Sequence, residues 1–148
     1  MSFSKFHRSS ADPYNLERFI EAQAPIYNRV LSELRAGMKT SHWMWFIFPQ
    51  IRGLGQSPIS VEYSISSREE ARAYLEHPIP GPRLKECTGL VLRAEGRSIE
   101  KIFGSPDDLK FRSSMTLFSQ VSQDDDVFTR ALQKYFDGTP DRLTLERL

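Results

Sequence analysis

Six consecutive apolar residues, Trp43 to Phe48, contain both tryptophans and two of the ten phenylalanines of the chain, and they constrain its fold more than any other stretch. The run has no polar face of its own, yet His42, Gln50 and Arg52 bracket it. Whatever buries the aromatic rings must therefore also meet an imidazole, an amide and a guanidinium. A helix that crosses a bilayer needs about 20 apolar residues, and Pro49 and Gly53 stop this run from extending. It is a central core segment, and periodicity alone does not settle whether it is helix or strand.

Around this segment the chain reads as one domain. Its 148 residues carry no linker-like tract, internal repeat or low-complexity stretch, and that length suffices for a sizeable core. The expectation is a frayed tail over residues 1–11 and a single helical domain over 12–148. Twenty basic residues against 19 acidic leave a net charge of +1, so no global field draws the chain toward nucleic acid or an anionic membrane. The single cysteine, Cys87, excludes an internal disulfide and a multi-cysteine metal site, which fits a reducing compartment. The first residues are polar and basic, without the apolar core of a secretory leader, and the expected location is cytoplasmic.

Capping signals and apolar stripes then place about eight helical segments. Asp12-Pro13 starts the first, with Leu16, Phe19 and Ile20 on one side. The second runs from about Pro25 to Ala36, with Ile26, Val30, Leu31 and Leu34 inward, Glu33, Arg29 and Arg35 outward, and Gly37 as its stop. Ile59, Val61, Tyr63 and Ile65 alternate as a strand would, but no partner strand is evident, so extended backbone packed on helices is expected there. Ser67-Arg-Glu-Glu70 is a capping box, and Pro82 reads as the first residue of a helix that turns Cys87 to the core. Ser98 and Ser105-Pro106 start two more helices, the latter with Phe111, Met115 and Phe118 inward. Asp124–Asp126 starts the next, and a final short helix offers Leu143, Leu145 and Leu148 for docking. With no convincing strand pair, the fold class is all-α: a compact single domain of about eight short helices, not a simple up-down bundle.

Several residues could carry chemistry. His42 is a natural general base or hydrogen-bond donor, set against the plainer reading that it satisfies a carbonyl at a segment end. Trp43 and Trp45 could stack a ligand or simply fill the core. Gln50 and Arg52, beside Gly53 and Gly55, could hold a carboxylate or phosphate, although the glycine spacing is neither a dinucleotide fingerprint nor a P-loop. Lys110 and Ser113 share a helix face, which is compatible with a lysine activating a serine or with a solvated lysine beside helix-face serines. Arg83, Lys85, Arg93, Arg97 and Lys101 alternate with glutamates as a solvated face does, which disfavours nucleic acid as a partner. No metal-ligand spacing is present, and Asp124–Asp126 lacks the pattern of a calcium loop.

Ser41-His-Trp-Met-Trp-Phe-Ile-Phe-Pro-Gln50, followed by Gly53-Leu-Gly-Gln-Ser57, resembles the family called domain of unknown function 1810. Glu70-Ala-Arg-Ala-Tyr-Leu75, Gly81-Pro-Arg-Leu84, Ile102-Phe-Gly-Ser-Pro-Asp-Asp-Leu-Lys110, Ser113-Ser-Met-Thr-Leu-Phe118 and Lys134-Tyr-Phe136 are similar to it as well. The resemblance implies a compact helical domain and no particular reaction, and it puts His42, Trp43, Gln50, Lys110, Ser113 and Thr116 on the family's characteristic segments. Pro58 departs from the pattern and leaves the shape of the preceding loop open. The combined expectation is a pocket for a small polar or anionic, nucleotide-like ligand between the Trp43 segment and the Lys110 helix. In it His42, Lys110 and Ser113 would act, and Trp43, Gln50, Arg52 and Thr116 would bind. No cofactor, metal or membrane is called for. The alternative is a non-catalytic protein-interaction module, and the sequence leaves open whether the protein is an enzyme.

Overall fold

Five of the ten helices that a computed structural model describes, over residues 11–123 and 126–148, begin on a serine or aspartate whose side chain accepts from the backbone N–H three residues on. These are α4 (Pro58–Glu62), α5 (Arg68–Glu76), α7 (Ile99–Phe103), α9 (Val127–Phe136) and α10 (Arg142–Glu146), capped by Ser57, Ser67, Ser98, Asp126 and Asp141. Each cap satisfies one of the donors that the first turn of a helix leaves unpaired. The remaining helices are α1 (Glu17–Gln23), α2 (Tyr27–Arg35), α3 (Met44–Ile47), α6 (Pro80–Arg93) and α8 (Asp107–Ser119). The expectations for residues 1–10 and for Asp124 and Asp125 lie outside the described residues.

The all-helical class holds, while several boundaries move. Asp12 does cap the first helix, its carboxylate accepting from the N–H groups of Leu16 and Glu17, but a turn over residues 12–15 intervenes and α1 starts at Glu17 rather than at Pro13. Pro106 sits at the N-cap of α8 with a non-helical backbone (φ −94°, ψ 13°), so the first helical residue is Asp107. The α6 helix begins at Pro80, two residues before Pro82. Its second residue must be glycine, because a Cβ on Gly81 would lie 2.2 Å from the carbonyl oxygen of Leu75.

The alternating stretch 59–65 is not extended throughout. Ser57 and Pro58 nucleate α4, which leaves Val61 exposed. Only Ile65 behaves as a strand residue, forming an isolated parallel bridge with Ile51. The bridge is made by two N–H···O bonds of 2.8 Å, from Arg52 to Ile65 and from Ile65 to Gln50. Because extended side chains alternate, Ile51 is buried while its neighbours Gln50 and Arg52 turn outward. In α10, Leu143 and Leu145 are exposed, and Thr144 is the residue that packs inward.

The core is organised on α6 and α8. The α2, α3, α5 and α9 helices pack on α6, and α3, α5, α7, α9 and α10 pack on α8. Consecutive residues Ser113 to Phe118 are all buried, so α8 is enclosed on every side rather than along one stripe. The tiny α3 helix touches both hubs and delivers Trp43, Met44, Ile47 and Phe48 to the centre. There Phe48 stacks edge-on against Phe103 and Phe111, with centroids 5.6 and 5.1 Å away.

What sets the approach of that segment is Glu33, which is buried and not outward as its charge suggested. It stands at i+3 from Val30 and next to Leu34, within the apolar stripe of α2. The helix ends in a Schellman motif, Gly37 at φ +71° donating to Leu34 and Met38 donating to Glu33. The chain then folds back, and the Glu33 carboxylate accepts from the N–H groups of Thr40 and Ser41 at 2.8 and 3.1 Å, from the Ser41 hydroxyl, and from the Trp43 indole at 2.9 Å. Burial alone would push this carboxyl up. The four hydrogen bonds outweigh burial and hold it down at about 2, against an ordinary 4.5.

A carboxyl with a depressed pKa in the folded state contributes stability above its unfolded pKa, and that contribution disappears as the pH falls through the folded value. The Glu33 contribution is therefore complete above pH 4.5 and lost between there and about pH 2. It amounts to roughly 3 kcal/mol. Glu33→Gln is expected to lower the unfolding free energy at neutral pH by roughly 2–3 kcal/mol and to flatten the acid limb of a urea-denaturation series. An acid limb as steep as that of the wild type would show that another group carries it.

Candidate functional site

The seven residues singled out from the sequence go to different environments. His42 is exposed, and its imidazole makes no hydrogen bond among the described residues. Trp43 is 1% exposed, its indole N–H is committed to Glu33, and its ring packs on Phe48 and Phe103, so it is core and presents no stacking face. Gln50 is half-buried beside Trp45 and Tyr63, at a void of about 10 Å³ with room for a single water. Arg52 is exposed and borders a polar cleft on another side, built on Arg18.

The α8 residues are occupied locally. The Ser113 hydroxyl donates to the Leu109 carbonyl one turn back. Thr116 donates to the Arg112 carbonyl and accepts the Asp141 N–H, both at 2.8 Å, which ties α10 to α8. Lys110 binds Asp107 at 3.1 Å, with its ammonium 5.0 Å from the centre of the half-buried Trp45 ring. Asp107 also holds Lys39 at 2.8 Å. Burial would raise the Asp107 carboxyl, but the two lysines win and keep it below the usual range. No hydrogen bond joins Lys110 to Ser113, so the arrangement of a serine activated by lysine is absent. The other nucleophile, Cys87, is fully enclosed, and burial pushes its thiol up to about 12, far from the thiolate needed for reaction.

The polar cleft next to Arg52 is equally engaged. The Arg18 guanidinium donates to the carbonyls of Glu62, Tyr14, Asn15 and Ser64 and to the Glu70 carboxylate, which uses its five N–H groups. Glu70 in turn accepts from the N–H and the hydroxyl of Ser66. These groups lock α1 and α5 to the 62–66 turn.

A further group of charged side chains lines a cleft of about 360 Å³ between α5, α6, the 121–123 link and the start of α9. Arg72 from α5 and Lys85 from α6 stand at it, and neither has an acidic partner at ion-pair distance among the described residues. Leu75, Val121, Val127 and Phe128 supply an apolar floor. Glu76, Asp126 and Arg130 complete the charged lining, with Asp126 fixed by its two bonds to Thr129. The volume lies within the usual range of small-molecule sites, and an apolar wall with a few convergent polar groups is their usual composition. Sequence reading passed over this cleft. Lys85 looked like one of many solvated lysines, and Arg72 carried no motif. The one local signal is the i, i+3 spacing that puts Arg72 and Leu75 on the same face of α5.

Residues 13–148 match the family model described as Protein of unknown function (DUF1810). The chain belongs to this family. The chain is also similar to a crystal structure of the conserved hypothetical protein Rv1873 from Mycobacterium tuberculosis. That protein is 59% identical, with a TM-score of 0.91 over 93% of this chain and 98% of the other. No curated protein matches the chain. Among the described residues no helix is long and apolar enough to cross a membrane.

The Thr116 geometry separates a binding residue of the family segment from a structural one. Thr116→Val removes the acceptor of the Asp141 N–H and is expected to cost roughly 1–3 kcal/mol. Amide hydrogen exchange should accelerate across residues 141–146 before anywhere else. Unchanged protection of α10 would mean that the Thr116 hydroxyl does not hold it.

Proposed function

We propose that the protein is a binding domain for a small anion, held in the cleft between α5, α6 and α9. The observation that carries this reading is the pairing of two cations, Arg72 and Lys85, that have no acidic partner among the described residues, with a concave apolar floor. Unpaired cations on a convex surface are ordinary. At a concavity with low-dielectric walls, the same charges raise the local concentration of an anion and hold it more strongly than they would in open solvent. In this reading Arg72 offers a planar fork of donors and Lys85 a point charge, while the Trp43 segment is the frame that positions the helices.

A second reading keeps the ligand at the Trp45 face, where Lys110 and Gln50 adjoin a half-exposed indole and His42 belongs to the same segment. Lys110 is already held by Asp107 there, and an incoming anion would have to compete with that carboxylate, which makes this the weaker anion site.

Isothermal titration at low ionic strength with acetate, inorganic phosphate and 1-naphthoate tests both. At least one of these anions should bind, and Arg72→Glu/Lys85→Glu should weaken it about tenfold or more while Lys110→Ala leaves it unchanged. The reverse pattern would move the ligand to the Trp45 face. Affinity unaffected by either variant would overturn both readings.

A further inference from the structure

Outside that cleft, and independently of it, we infer that the chain carries a second site, a slot beside Trp45 and Gln50 that takes the end of a neutral primary carboxamide. The slot is built from one stretch of chain, between Trp45 and Ser64. Trp45 and Tyr63 bring rings to it, Gln50 and Ser60 neutral polar groups, and Gly53 and Gly55 bare backbone. No charged residue or histidine is among the residues that line it. Its volume, about 10 Å³, admits one group of the size of a water molecule. What enters is therefore the end of a planar head, and the body of the ligand stays outside, where the half-buried Trp45 still offers ring surface.

The class of the head follows from which polar groups are left over. The Gln50 amide and the Trp45 indole N–H make no hydrogen bond among the described residues, whereas the Trp43 indole is committed to Glu33. A half-buried amide at a void is a group that water or a ligand has to complete. Gln50 presents a donor and an acceptor side by side in one plane. A primary carboxamide presents the same pair in reverse and satisfies both at once. A carboxylate has acceptors alone and would set one oxygen against the Gln50 carbonyl, while a tertiary amide has no N–H to give. The nearby charges do not reverse this order. Lys110, over the Trp45 ring, is held by Asp107. The Arg147 guanidinium lies against Gly53, where a Cβ would come within 2.3 Å of it, but the side chain is exposed and screened by solvent. Arg52 is exposed and borders the Arg18 cleft instead. The engagement of Lys110 that weakens this face for an anion leaves the neutral groups beside it untouched.

The test uses the two tryptophans of the chain as reporters, one in the core and one at the slot. In proton–nitrogen correlation NMR of the wild-type protein, with the indole signals assigned through Trp45→Phe, benzamide is titrated beside benzoate and N,N-dimethylbenzamide. Benzamide should shift the Trp45 indole and Gln50 side-chain signals saturably and leave the Trp43 indole unmoved. It should bind about tenfold or more tightly than either relative. Gln50→Leu removes the amide and should weaken benzamide about tenfold, with an unshifted Trp43 indole reporting that the fold is kept. Arg72→Glu/Lys85→Glu should leave benzamide binding as it is, so the slot and the anion cleft stand or fall separately. Benzoate binding as tightly as benzamide would overturn the neutral ligand. N,N-dimethylbenzamide doing so would overturn recognition through the Gln50 amide. Benzamide affinity that survives Gln50→Leu, or no saturable shift of the Trp45 indole below about 10 mM, would overturn the site itself.

Discussion

The fold depends on one carboxylate. The segment that carries both tryptophans leaves α2 at Gly37 and returns over the end of the same helix, and nothing apolar directs Thr40 and Ser41, which are polar and close to solvent. Glu33 directs them, by accepting from two consecutive backbone amides, a hydroxyl and the indole of Trp43. A buried charge without such partners would cost several kcal/mol. Here the desolvation is compensated by donors that themselves need acceptors, so neither side is left unpaired. Once Trp43 is anchored, the direction of α3 follows, and with it the contacts of Phe48 to Phe103 and Phe111 that join α7 and α8 to the centre.

The same logic accounts for most other buried polar groups. In α8, packed all round, the hydroxyls of Ser113 and Thr116 have no solvent to turn to and bond carbonyls one turn back, as Thr88 does in α6. Arg18 uses its full set of donors on two turns and one glutamate. Lys39 sits 7% exposed between Asp107 and the face of Trp43, an ion pair reinforced by the ring. Polar side chains that look chemically capable in the sequence are thus the fasteners between short helices, which individually bury too little apolar surface to hold their own orientation.

Helix starts were legible because they are local. Ser67 and Ser98 cap the turns that their positions imply, as does Asp126 within the aspartate run. The all-α class and the inward positions of Phe111, Met115 and Phe118 follow from periodicity alone. Glu33 was misjudged because its charge was given more weight than its position, although i+3 from Val30 puts it inside the stripe. The spacing puts Lys110 and Ser113 on one helix face, whereas α8 has no exposed face to offer from Ser113 to Phe118. The extended stretch failed at Val61 because Ser57-Pro58 is a stronger local instruction than four alternating apolar residues without a partner strand. Arg72, Lys85 and Val127 come from three elements and meet only through the packing of α5 and α9 on α6 or α8, so no spacing in the sequence can relate them.

Where chemistry can reside in such a domain follows from which polar groups the fold leaves over. At the Trp43 segment the indole of Trp43 is committed to Glu33 and the neighbouring Lys110 to Asp107, and a ligand taking either donor would have to break an existing bond. Such an exchange yields little net affinity, since protein–protein and protein–ligand hydrogen bonds are of similar strength. At the cleft between α5, α6 and α9 the balance differs. Among the described residues Arg72 and Lys85 have no acidic partner at ion-pair distance, and Phe128, packed on Phe118, keeps the floor rigid. The Trp43 segment builds the frame, and the cleft lined by Arg72 and Lys85 stands where three helices leave a gap in it.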